Sequence, residues 1–304
     1  MATSEVKSID APVGQEKCLF AICSACYIEN LWKNHHNRAM NHKLPNAIAY
    51  FATVVGICAM FAAAQDPRDQ DPTKLLAQAI DRLTTYDSLR AKTRYEGHLF
   101  GHEIVGTGSY LQKGRDGQLQ WQLDWKLRVG TETTARHEVC NGDSLWVEVS
   151  GDTTPTQLSR VNLRKIRSER AKTANGNPRP NSKTGGVPGF LESLDEQYRW
   201  ISAEPSRLAD DNVWIIDGEL KRAFKSVKLP NLVRVVLARD GEFDLFPFRV
   251  EWYRKSEKPM KRMLVVDYFS ITANPLLPEQ TFEFDPGDRN FTDATDVYLS
   301  RNQG

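Results

Sequence analysis

The sequence predicts a mainly β fold with helices (α+β), organised as a curved, mostly antiparallel sheet covered by helices. Three observations carry that reading. From Gln118 to Val129 the residues Leu119, Trp121, Leu123, Trp125, Leu127 and Val129 alternate without interruption with polar ones, the period-two mark of a strand with one buried and one wet face. Asp116-Gly117 and Asn141-Gly142 supply the positive φ angles of tight hairpins between extended segments. An amphipathic helix precedes these strands.

At 304 residues the chain suits one domain of 65–304 with extra sequence before it. Residues 40–64 have the order of an export signal: a polar start with Lys43, an apolar run from Ala47 to Ala63, and Ala62 and Ala64 at the spacing that a signal peptidase needs. Cleavage is expected after Ala64. Residues 1–39 then form a leader ahead of a true start at Met40. The competing reading is an uncleaved membrane anchor, because the run approaches the length of about 20 residues that spans a bilayer. Either reading places the chain in the periplasm or cell envelope.

Removing residues 1–64 changes the chemistry. It takes away Cys18, Cys23, Cys26 and Cys58 and leaves Cys140, which cannot form an internal disulfide. It also removes His35 and His36, which with the N-terminal cysteines make a weak zinc pattern lacking the second half of a finger. The remainder has equal numbers of basic and acidic residues. No electrostatic footprint for nucleic acid results.

The elements follow in order. Asp71 before Pro72 is an N-cap followed by proline at the first helical position, and Leu75, Leu76, Ala79, Ile80 and Leu83 form one stripe of a helix over 71–89. Extended segments are expected at 95–99, 104–112, 118–129, 131–140 and 144–150. Leu158 to Lys172 reads as a basic helix, with Arg160, Arg164, Lys165, Arg167, Arg170 and Lys172 on a solvated face or in transient contact with lipid headgroups. Residues 174–189 have loop composition, and Pro188 to Trp200 reads as a second helix. Helix, loop and helix form an insertion at 158–200 that covers the sheet. Strands resume at 213–220, 233–238, 246–254 and 262–271. Both faces of Met263 to Val266 are apolar, so that strand needs cover on both sides. Phe282 and Phe284 mark a last short strand.

Catalytic templates are absent. His102-Glu103 lacks the second histidine of a zinc-protease motif, and there is no G-x-S-x-G elbow or phosphate-cradling loop. Asp210-Asp211 and Asp293 with Asp296 are carboxylate pairs in turn-like or terminal sequence. A non-enzymatic protein without cofactor or metal is expected. An aromatic sheet face under a helical cover suits an acyl-chain pocket.

Four motifs occur in a fixed order: Gly106-Thr107-Gly108 through Lys113, Leu119-Gln120-Trp121, Asn141-Gly142-Asp143 through Val147, and Phe282-Glu283-Phe284-Asp285-Pro286-Gly287. That order resembles the bacterial periplasmic lipoprotein carriers, the LolA/LolB-type outer-membrane lipoprotein-sorting family. The resemblance spans about 72–293. It implies an incomplete antiparallel barrel whose hollow shields acyl chains, with the helices at 75–83 and 190–198 as a lid. The hollow would be lined by Leu119, Trp121, Leu123, Trp125, Trp146, Phe190, Leu194 and Tyr198. Arg115 would correspond to the family's functional arginine, although K-R-P is replaced here by Lys113-Gly114-Arg115. Implied partners are lipoprotein acyl chains or another lipid, and envelope proteins if the chain is instead an envelope stress sensor on the same fold.

Overall fold

The computed structural model describes residues 70–99, 102–115, 118–173, 185–227, 230–254 and 261–300. The expected export segment and its leader, the Asp116-Gly117 turn and the loop at 174–184 lie outside these residues.

Helix α1 (Pro72–Leu83) begins as its sequence dictates, with Asp71 Oδ1 accepting from the Thr73 N–H at 3.0 Å and the Lys74 N–H at 3.4 Å. Leu75, Leu76, Ala79 and Leu83 form its buried stripe. It stops short of the expected Leu89: the Thr84 hydroxyl donates back to the Asp81 carbonyl at 2.8 Å, and the chain leaves into a strand.

Six consecutive strands follow: β1 (Ser88–Leu99), β2 (His102–Lys113), β3 (Gln120–Val129), β4 (Glu132–Cys140), β5 (Ser144–Gly151) and β6 (Gln157–Asn162). After α2 (Leu163–Thr173) and α3 (Gly186–Gln197) come β7 (Tyr198–Leu208), β8 (Asp211–Leu220), β9 (Leu232–Ala238), β10 (Pro247–Arg254) and β11 (Lys261–Ala273), then β12 (Thr292–Asp293) and α4 (Thr295–Ser300). All twelve strands share one sheet in the order β12-β6-β5-β4-β3-β2-β1-β11-β10-β9-β8-β7. Two antiparallel meanders are therefore welded where β1 meets β11, and among the described residues only the β12–β6 pair is parallel. The order does not return on itself, so the barrel is incomplete, as expected.

Three local readings are corrected. The first part of the expected basic helix is strand β6, because pairing with β5 buries Leu158 and Val161. The second helix ends at Gln197, and Tyr198 and Trp200 belong to β7, paired with Leu220 and Gly218. The segment at 158–200 thus begins and ends in sheet. Phe282 lies in a short 3₁₀ turn (Glu279–Phe282) rather than a strand, and the last strand is the two-residue β12.

Strand alternation gives the sheet an inner and an outer face. Leu119, Trp121, Leu123, Trp125 and Leu127 join the main core together with Leu75, Leu76, Val187, Leu191 and Leu194 of the helices. The C-terminal segment packs on part of the outer face, around Trp146. There Trp146 stacks on Phe284 at 5.2 Å between centroids and meets Phe291 edge-on at 5.0 Å. On β11, Met263, Leu264, Val265 and Val266 are all buried. The outer neighbours are charged: Asp267 binds Arg94 at 3.0 Å and Arg249 at 2.5 Å, and Glu251 lies 3.7 Å from Arg249 and 3.5 Å from Arg262. Long arginine stems under a paired charge lattice shield apolar surface there.

Candidate functional site

Trp121 and Trp125 are each 3% exposed and belong to the main core, on the side of the sheet where the helices pack. Trp121 lies beneath the start of α3. Gly185 and Gly186, at φ of 85° and 61°, bring the backbone so close that a Cβ on Gly185 would meet the Trp121 ring at 2.8 Å. A Cβ on Gly186 would lie 2.5 Å from the Tyr110 hydroxyl. Two glycines are thus required where the second helix lands on the aromatic strand.

Both lid helices are tied to β2 by one buried relay. The Val187 N–H donates to the Tyr110 hydroxyl at 3.1 Å, that hydroxyl donates to Gln112 Oε1 at 2.7 Å, and Gln112 Nε2 donates to the Leu83 carbonyl at 2.7 Å. The relay satisfies a donor at the start of α3 and an acceptor at the end of α1. Burial pushes the Tyr110 hydroxyl well above the ordinary range for a phenol, so it stays a donor.

Leu119, Leu123, Leu194 and Tyr198 are buried in the same core, and the Tyr198 hydroxyl donates to the Pro230 carbonyl at 3.1 Å. Phe190 is half-buried, with its ring 6.0 Å from that of Trp252. Trp146 is placed differently from the sequence reading. It pairs with Val139, which pairs with Gln122, so it shares the polar face of β3 and lies on the side of the sheet opposite Trp121 and Trp125. Arg160 lies over its ring at 5.6 Å. Arg115 forms an exposed ion pair with Asp87 at 2.6 Å, away from the other candidates at the β1 and β2 ends.

The inner face is not wholly apolar. Arg136 pairs with Trp125 and Glu138 with Leu123, so both charges point inward, each 3% exposed, and they bind each other. A guanidinium and a carboxylate buried together avoid the heavy cost of either alone. Cys140 is on the same face, where burial pushes its thiol up to about 11. It is therefore a poor nucleophile.

A groove of about 350 Å³ opens on the outer face, where Ser109, Asp124, His137 and Glu148 form one cross-strand rung and Thr107, Lys126, Ala135 and Ser150 the next. Asp124 accepts hydrogen bonds from His137 Nδ1, Gln122 and Ser109. Burial pulls this carboxyl upward, but those bonds outweigh it and hold it below its ordinary range. The bond to Asp124 raises His137, against burial. Because Ser109 bonds the carboxylate rather than the imidazole, the three do not form a nucleophile–base pair. The described residues hold no group of three or more metal-ligating side chains.

No protein-family model matches the sequence, and no curated protein matches it. Solved structures do resemble its fold. MucB of Pseudomonas aeruginosa, in complex with MucA, is 11% identical with a TM-score of 0.37, over 71% of this chain and 62% of that one, under two-thirds of its length. A putative outer membrane lipoprotein-sorting protein domain from Vibrio parahaemolyticus is 12% identical with a TM-score of 0.30, over 70% of this chain and 97% of that one. LprF from Mycobacterium bovis is 7% identical with a TM-score of 0.34, over 68% and 95%. These likenesses concern the course of the chain alone.

Tyr110, Gln112, Arg136 and Glu138 were not legible as site residues. Their strands carry polar residues on the inward face, and only the register shows that each meets a partner there. The face of Trp146 was legible, since it alternates with Leu145 and Val147 and falls in step with Glu148. Three basic residues of α2 serve ion pairs, Arg164 and Arg167 with Asp143 and Lys165 with Asp296.

Proposed function

We propose that this chain is an exported, non-enzymatic lipid-binding protein of the lipoprotein-carrier type, which shields acyl chains between the inner face of its sheet and the α1/α3 lid. One observation supports this most: two short helices pack on the core-facing side of the sheet, where α3 begins directly against Trp121, and one buried polar relay ties both of them to β2. Such a lid can part from the sheet without breaking the strand ladder. Acyl burial would supply about 0.8 kcal/mol per methylene. Export to the periplasm or cell envelope follows from the signal at 40–64, and no helix of the described residues is long and apolar enough to cross a membrane.

Native mass spectrometry of protein recovered from its host tests the reading. Co-purified lipid, or saturable binding of a fluorescent fatty acid after delipidation, is expected. Lipid-free protein that also ignores the fatty acid would count decisively against it.

A second reading, an envelope protein-interaction or stress-sensor module, is favoured by β7. Among the described residues this eleven-residue strand pairs only with β8, and Ile201 on it is 46% exposed. An open edge of that length can accept an added strand. A stable protein partner that survives filling of the hollow would select it.

A further inference from the structure

We infer that the inner face carries a polar anchor, formed by Thr93 and Trp125, for the ester carbonyl of an acyl ligand. The inference rests on the lipid-binding reading and specifies which lipids the hollow prefers.

Thr93, Gly108, Trp125 and Arg136 form one rung across β1, β2, β3 and β4. By alternation all four face the core. Gly108 contributes no side chain, so Thr93 Oγ1 and Trp125 Cβ close over it, 2.6 and 3.0 Å from where a Cβ would stand. Thr93 is 1% exposed and Trp125 3%, yet among the described residues neither Thr93 Oγ1 nor Trp125 Nε1 has a hydrogen-bond partner. Native proteins seldom leave buried donors unmatched, because each forfeits its hydration for nothing. Two such donors on residues of one rung, both on the core side that the lipid-binding reading assigns to the ligand, mark a place where the ligand itself supplies acceptors.

The chemistry narrows the acceptor. An indole N–H can only donate, and a hydroxyl can donate at the same time. Beside them the Arg136 charge is matched by Glu138. A free carboxylate entering this rung would meet the Glu138 charge with no cation reserved for it. A neutral ester carbonyl needs only the two donors. The anchor therefore selects acyl esters, such as monoacylglycerols, over free fatty acids of equal chain length.

Delipidated full-length protein, its Thr93→Val and Trp125→Phe variants, and an environment-sensitive naphthalene dye displaced by monopalmitoylglycerol or by palmitate provide the test. Wild type is expected to prefer the ester. Each variant is expected to lose about threefold to tenfold in ester affinity, the worth of one hydrogen bond, with a smaller change for palmitate. Thr93→Val keeps the side-chain shape and should leave the thermal midpoint unchanged or raise it, so the test survives if Trp125→Phe folds poorly. Unchanged ester affinity in Thr93→Val, with wild type still binding lipid, would overturn the anchor and spare the carrier reading. Wild type that binds neither dye nor lipid would overturn both.

Discussion

The Tyr110 hydroxyl donates to Gln112 Oε1 at 2.7 Å inside the core, and this one bond links the start of α3 to the end of α1 through β2. Replacing Tyr110 by Phe leaves the Val187 N–H and Gln112 Oε1 buried without a partner. The expected cost is about 2 kcal/mol in chemical denaturation. Faster hydrogen exchange should be confined to α1 and α3. Uniform exchange across the sheet would mean that the relay supports the whole core and not the lid.

Gly108 has a steric reason to be glycine. A Cβ there would stand 2.2 Å from the Asp124 carbonyl oxygen and 2.6 Å from Thr93 Oγ1. Gly108→Ala should therefore lower stability by about 1–3 kcal/mol, the usual cost of overpacking. A thermal midpoint equal to wild type would show that β2 and β3 can part at no cost.

Much of this architecture was legible in sequence, for a physical reason. β3 faces solvent on one side and core on the other, so its alternation recorded the environment of every residue and put Trp121 and Trp125 on the buried side. The same period placed Trp146 on the outer face, yet its bulk invited an inward reading. It is covered there by Phe284 and Phe291, well over a hundred residues later in sequence, which no local pattern reveals. β6 was hidden by its arginines: Arg160 faces outward over Trp146, while Leu158 and Val161 gain their burial only from pairing with β5. Thr93, Arg136 and Glu138 are polar residues on the inner face, and composition gives such positions no mark.

The Asp124–His137 pair predicts a pH dependence. His137 is raised above its ordinary 6.5, so its contribution is complete below that value and is lost as pH rises through the raised one. Asp124 is held below its ordinary 3.8, so its contribution is complete above that value and is lost as pH falls through the depressed one. The pair therefore stabilises most in mild acid between the two ordinary values. The thermal midpoint should rise as pH falls from about 8 to about 5.5, and His137→Gln should flatten that rise. A rise of the same size in the variant would assign it elsewhere.

Asp267 is the hub of the outer charge lattice, 3.0 Å from Arg94 and 2.5 Å from Arg249, with its side chain 10% exposed. Asp267→Ala would set two guanidinium groups against each other over β11. The expected loss is about 2 kcal/mol, less than for a fully buried pair because Arg94 is half exposed. Added salt should recover part of it by screening the repulsion. A salt-independent loss would point to packing instead.

The central claim is that the two helices are a lid over an acyl-binding face. Titration of delipidated wild type and Tyr110→Phe with a fluorescent fatty acid tests it most directly, followed by both dye emission and thiol labelling of Cys140. Saturable binding of one probe per chain is predicted, with faster uptake in Tyr110→Phe and faster labelling of Cys140 while its lid is loosened. Absence of saturable binding in both proteins, with Cys140 equally protected in each, would contradict the account.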